Sequence, residues 1–359
     1  MQVSELALQY LVLMAVLAAC VFFYHGGRDM EGAQDKALGL IQARAAKPPR
    51  VDPALVTAGS SQVPLNPLEP KSQSVVAVRP RPLTSVRELQ PHEIALLQFD
   101  SRYPLSDYWQ SSAMWNEYYC RRHGHTFIYY SLMKRGVCMH DPSGERLADP
   151  WCKVKAMLQA NSDYPDVQLF IYLDSDAVID KRYENSSLVS LVSIMQDKLS
   201  WDLNARPMVF NQDGPCWWCK LVNSVGYKVC LNAGTVLWHR HPRSLDVLRD
   251  WWAAAMDEQL EGNPLRRRFR LKWPWEQDRQ MAVYNRTPEH IQIASQPGQA
   301  HMDMRAGHHD WCLSHLAQSG CFISHHCENA ASKKRMMAIY DSQRQAARGQ
   351  PGTIAVKFL

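Results

Sequence analysis

The chain has 359 residues, 46% of them hydrophobic and 21% charged, which is an ordinary globular composition with room for one large domain or two small ones. Its net charge of +5 is mild for that length, and the basic residues are scattered apart from one cluster. A nucleic-acid footprint is therefore excluded as the organising feature.

In chain order, a short tail (1–5) precedes an apolar run from Leu6 to Tyr24, broken only by Gln9 and long enough to cross a bilayer as a single helix. A membrane anchor is the expectation. A cleaved signal peptide or lipid attachment at Cys20 fits less well, because the flank carries Glu5 and no Lys or Arg. Residues 25–90 are rich in Pro, Ala, Ser and Gln without apolar periodicity, as in a flexible stem.

A folded domain is expected over 91–340, with a C-terminal tail over 341–359. Strand signals lie at His92–Asp100 and His125–Leu132. Between them the chain reads as a helix capped by Ser106 and ended by Gly124. A second helix spans Trp151–Ala160 and leads into the apolar run that begins at Leu169. Short strands follow at Pro207–Phe210 and Thr235–His239, with a loop around Cys216, Cys219 and Tyr227–Leu231. A helix is predicted from Pro242 to Leu260, its paired tryptophans assigned to core, then a basic loop from Arg266 to Lys272 and an acidic helix over Trp273–Asn285. Alternating strands and helices predict an α/β fold with a mainly parallel sheet and right-handed crossovers. Of ten cysteines, all but Cys20 lie beyond the apolar run, and they lack a paired CxxC zinc pattern. Disulfides in an oxidising compartment are expected.

The chemistry concentrates where the Leu169–Leu173 run stops on Asp174, Ser175 and Asp176. Side chains i and i+2 share one side of an extended chain, so Asp174 and Asp176 can face one object beyond the strand end. Two carboxylates with diphosphate oxygens suit Mg2+ or Mn2+; the bland reading is an acidic turn that keeps the strand end wet. Asn232, Ala233 and Gly234 are small residues that permit close approach of a ligand, or simply make a turn. Trp275 beside Glu276, Gln277 and Asp278 offers an aromatic face and acceptors to a sugar, or plain helix capping. His325 and His326 are candidate third metal ligands.

Together these segments (YYCRRHGHTFIYY, WCKVKAML, YLDSDAVI, LNAGTVLWHR, WEQDRQMAVYN and CFISHHC) resemble the retaining α-galactosyl-, α-mannosyl- and xylosyltransferases of the Golgi of fungi and plants. The resemblance implies a GT-A (Rossmann-like) nucleotide-diphospho-sugar transferase domain behind a type II signal anchor, in the Golgi membrane with the catalytic domain lumenal. It implies a UDP- or GDP-sugar donor, a glycan or glycoprotein acceptor, possible membership of a glycosyltransferase complex, and Mn2+ (or Mg2+) held by Asp176, Asp174 and His325. Asp174, Ser175, Asp176, Asn232, Ala233, Gly234, Trp275 and Glu276 then belong to the nucleotide-sugar site. Gln277 and Asp278 take the catalytic place beside the reacting sugar. A non-catalytic subunit that keeps the fold is the alternative. A zinc hydrolase built on His308, His309 and Asp310 lacks a suitable helical spacing. Two sequons, Asn185-Ser186-Ser187 and Asn285-Arg286-Thr287, fit a lumenal domain.

Overall fold

The computed structural model describes residues 81–103, 107–136, 138–141, 143–212, 227, 229–257, 276–294, 323–325 and 354–359, all within the compact unit Val75–Leu359. The predicted anchor, most of the stem, Ser106, Cys216, Cys219, the basic run, Trp275, His308 to Asp310 and His326 lie outside the described residues. Among the described residues no helix is long and apolar enough to cross a membrane.

The central strand β1 (Ile94–Asp100) is buried along its whole length, because it pairs in parallel with β2 (Thr126–Ser131) on one side and β5 (Leu169–Asp174) on the other. A short antiparallel hairpin, β3 (Met139–His140) and β4 (Glu145–Arg146), stands between β2 and the following helix. Beyond β5 come β8 (Leu231–His239), β7 (Met208–Gln212) and β9 (Ile291–Ala294), and β11 (Val356–Phe358) adds to β2 at the far edge. Of the seven strands only β8 runs against the rest. The sheet is mainly parallel, as the alternation predicts. A separate ribbon joins β6 (Ala177–Ile179) to β10 (Ile323–His325).

Period-two geometry divides the strand side chains between two cores. Ala95, Leu97, Phe99, Phe170, Tyr172 and Trp238 face one layer of helices: α2 (Cys152–Asp163), α4 (Pro242–Ala253) and α5 (Glu276–Arg286). Ile94, Leu96, Leu169, Ile171, Leu173 and Leu237 face the other, α1 (Asp107–His123) and α3 (Leu188–Leu199). Every strand between the layers must be apolar on both faces, hence the unbroken hydrophobic runs.

Gly124 ends α1 as predicted. Its φ of +71° is the left-handed conformation that glycine adopts without a Cβ penalty, and it lets His125 N–H reach Cys120 O at 2.8 Å while Gly124 N–H reaches Arg121 O at 3.3 Å. Other limits differ from the sequence reading. α4 stops at Ala253 and continues as a single 3-10 turn, Ala254–Met256, and its buried stripe is Ser244, Val247, Leu248, Trp251 and Trp252. Both tryptophans are core, as expected. Strand β8 starts at Leu231, four residues before the predicted Thr235, since Asn232 and Gly234 were read as a turn. Leu83, Val86 and Leu89, assigned to the stem, are buried in the second core. Residues Val356–Phe358, assigned to the tail, form the edge strand, and Lys357 holds Asp163 at 2.9 Å.

Two buried histidines fix the lower half of the second core. His125 donates from Nδ1 to Pro91 O (2.8 Å) and accepts Leu188 N–H at Nε2 (3.0 Å), so its ring must be neutral. Burial pulls His125 from 6.5 down to about 4, and burial does the same to His239. A base whose pKa is depressed by folding contributes stability that is present above 6.5 and lost as pH falls toward 4. Urea midpoints taken from pH 7.5 to 4.5 should therefore fall across that window, each histidine contributing about 1–3 kcal/mol. His125→Gln should roughly halve the slope; equal slopes in the two proteins would refute the assignment.

Candidate active site

Asp174, Ser175 and Asp176 lie between β5 and β6, in a turn set by buried polar groups rather than by its own sequence. Gln98, fully buried in β1, donates from Nε2 to Asp174 O and Ala177 O, each at 3.1 Å. From α1, Ser112 Oγ and Asn116 Nδ2 also donate to Ala177 O at 3.0 Å. Asn116 Oδ1 accepts Ile179 N–H (3.1 Å), and Trp115 Nε1 donates to Ile179 O (2.6 Å). A carbonyl with three donors cannot rotate without stranding buried polar groups, which makes the turn rigid.

Arg102 braces the same turn from the end of β1. Its guanidinium pairs with Asp100 at 2.6 and 2.8 Å, donates to Ser175 Oγ at 3.0 Å, and lies 3.5 Å from the centre of the Trp109 ring. The planar fork suits this combination of bidentate pairing and stacking.

The principal contact is made by Lys153, the second residue of α2. Its ammonium reaches Asp174 Oδ1 at 2.7 Å and Glu276 Oε1 at 2.8 Å, with only 8% of its side chain exposed. Tyr172 OH donates to the same Asp174 oxygen at 2.8 Å. Burial opposes charge on Lys153, yet the two carboxylates outweigh it and hold the amine above its ordinary range. Burial raises Glu276 despite that lysine, and the nearby charge of Asp174 adds to the rise. Glu276 Oε2 is buried without a hydrogen-bond partner among the described residues. The carboxylate is thus held on one oxygen and, among the described residues, unpartnered on the other.

From the sequence-predicted set, the structure joins Asp174 and Glu276 through Lys153, with Asp176 in the same turn and close enough to act on the Tyr172 phenol. Asp278 is turned into the interior, 1% exposed, and pairs with the buried Arg279 at 3.1 Å; Gln277 beside it is only partly buried. Asn232 Oδ1 accepts the Gly234 N–H at 2.7 Å, so the amide end of Asn232 is what it can offer a ligand. Ala233, Gly234 and Thr235 fall where β8 shifts register against β7, and Gln280 Nε2 reaches Asn232 O at 3.5 Å from α5. Backbone register sets His325 opposite Ala177, one residue beyond Asp176. Lys153 and Arg102 escaped the sequence reading. The signals were a lysine near the start of a helix, where the dipole disfavours it, and an arginine two residues after a buried strand.

No group of three metal-binding side chains is present among the described residues. Two neighbouring carboxylates nonetheless fit a hard divalent cation that takes its remaining ligands from water and phosphate.

A search of curated protein sequences found no match. Among solved structures, a glycosyltransferase involved in glycosylation of the major capsid of PBCV-1 is 17% identical with a TM-score of 0.44, covering 68% of this chain and 98% of that one. The galactosyltransferase LgtC, in complex with donor and acceptor sugar analogs, is 14% identical with a TM-score of 0.38, covering 69% and 95%. The model of the galactosyl transferase GMA12/MNN10 family matches residues 98–359. With that match over most of its length, and independently of the two superpositions, the chain belongs to the GMA12/MNN10 family of glycosyltransferases.

Proposed function

We propose that this glycosyltransferase is metal-dependent and moves a hexose or pentose from a nucleotide-diphosphate sugar to a glycan or glycoprotein acceptor with retention. The observation that carries the reading is the Lys153 bridge, which makes the acidic turn after β5 and the acidic start of α5 parts of a single site. A membrane-anchored, Golgi-lumenal setting belongs to the same proposal, and the Cys138–Cys152 disulfide supports an oxidising compartment.

In this reading Glu276 accepts a hydroxyl of the donor sugar at its unpartnered oxygen, and Lys153 directs its remaining N–H at the donor. Gln277 is the better candidate than Asp278 for steadying positive charge at the anomeric carbon, because Asp278 is committed to Arg279. Asn232 presents its amide along the sugar. Asp174, Asp176 and His325 would hold Mn2+ or Mg2+, which when bound offsets the charge of the leaving diphosphate. Ser175, fixed by Arg102, keeps the two carboxylates in register. One observation favours a second reading, a non-catalytic subunit: Asp174 Oδ1 is already occupied by Lys153 and Tyr172.

Thermal melts with UDP and GDP, each with and without Mn2+, separate the two. One nucleotide should stabilise only with metal, by about 2.7 kcal/mol at a hundredfold excess over Kd. Asp176→Asn should remove that increment and turnover together. A folded protein that ignores both nucleotides would favour the subunit. The bridge itself has a distinct signature: Lys153→Met leaves the buried Glu276 without its cation, beside the partly exposed Asp174, costing about 3–5 kcal/mol and at least about a hundredfold in kcat/KM. Adding Glu276→Gln to Lys153→Met should restore most of the stability and none of the activity. Recovery of both would show that the bridge is merely structural.

A further inference from the structure

Lys153 occupies an unusual place for a helix. The residue that precedes α2, Trp151, makes no side-chain cap, the first turn carries no acidic residue, and a cation there opposes the helix dipole. The 3-10 turn Asp149–Trp151, with Asp149 acidic and Pro150 at its start, runs directly into α2. A covalent bond ties that junction to the preceding hairpin: Cys152, the immediate neighbour of Lys153, is joined to Cys138, and both are buried.

Cys138 is itself anchored. Its carbonyl accepts Leu147 N–H at 2.8 Å, and two residues earlier Gly136, at φ +72°, donates its N–H to both Asp149 carboxylate oxygens at 2.8 and 3.0 Å. The hairpin it opens is held on α4, where the His140 ring lies 5.1 Å from that of Trp252 and Trp252 Nε1 donates to Asp141 O at 3.3 Å. The adjacent Trp251 donates from Nε1 to Glu276 O at 2.9 Å. Neighbouring tryptophans of one helix thus fix both ends of the bridge: Trp251 holds the backbone of Glu276, and Trp252 holds the hairpin that the disulfide ties to Lys153.

We infer that Cys138 and Cys152 are positioning residues for the donor site: their disulfide transmits the α4 anchor to the first turn of α2 and aims Lys153 between Asp174 and Glu276. The inference rests on the reading of Asp174 and Glu276 as donor-site carboxylates, and its principal test does not depend on activity. Lys153 is protected from reductive methylation by burial and by its two ion pairs, so its labelling rate, read by peptide mass spectrometry, reports whether it is held. The double variant Cys138→Ser/Cys152→Ser, which leaves no odd thiol, should label at Lys153 at least tenfold faster than the wild type. His125→Gln, destabilised in the opposite core, should not.

With an active nucleotide-sugar donor, the double variant should also lose at least tenfold in kcat/KM while His125→Gln keeps its rate. Unchanged Lys153 protection in a folded double variant would overturn the inference, as would equal exposure in His125→Gln. If the double variant does not fold, partial reduction of the wild type by a phosphine supplies the same comparison. Lys153 labelling is then scored in molecules with and without the Cys138–Cys152 bond, and equal labelling overturns the inference. Absence of turnover in the wild type with every donor would count against the glycosyltransfer reading alone and leave the labelling result to stand.

Discussion

Two carboxylates from separate elements, Asp174 at the end of β5 and Glu276 at the start of α5, share one buried ammonium. Glu276 is buried and Asp174 is partly exposed, so the cation matters most to Glu276. A buried carboxylate without a cation costs several kcal/mol, and a buried lysine with one partner keeps an excess of donors over acceptors. The arrangement closes only when β5, α2 and α5 are all in place, so the charge network and the tertiary fold require each other. Apolar residues of similar volume would pack there as well and would hold no donor. Stability alone therefore does not account for the network.

Rigidity of the acidic turn has a different origin. Gln98, Ser112 and Asn116 are polar residues in otherwise apolar surroundings, and all three converge on the carbonyl of Ala177. Their cost of burial is offset only if that carbonyl stays where it is. The strand, the helix and the turn are fixed by one acceptor, and Arg102 closes the outer side through Ser175. Preorganisation of this kind suits a site that must receive a highly charged donor, since little reorganisation remains to be done when it binds.

The parts of the fold legible in the sequence were those with a strong local signal. Leu169–Leu173 and His92–Asp100 read as strands because buried parallel strands are apolar on both faces, and Gly124 read as a helix end because only a left-handed residue completes that cap. The hairpin at Met139–Arg146, the ribbon of β6 with β10, and the reversed direction of β8 depend on pairing between distant segments, which no local pattern encodes. In the site, Asp174, Asp176 and Glu276 were legible as carboxylates in suggestive places. Lys153 was not, because a lysine in an amphipathic helix is ordinarily solvated, and only the packing of α2 against β5 reveals its partners. Asp278 and Gln277 could not be told apart until helix phase placed one inside beside Arg279.

The charge inventory gives the physical ground for the proposed cation. Asp100 and Arg102 pair with each other, and the one ammonium of Lys153 is shared by Asp174 and Glu276. Burial and the nearby charge of Asp174 push Glu276 up while Lys153 holds it down, so like charges already oppose one another around this ammonium. A nucleotide diphosphate would add more of the same sign. Lys153 cannot answer both demands, since its N–H groups are largely spent on the protein. A divalent cation held at the acidic turn would offset that charge while leaving the Lys153 bridge intact. The lysine would then set the shape of the sugar pocket and the metal would offset the charge of the diphosphate.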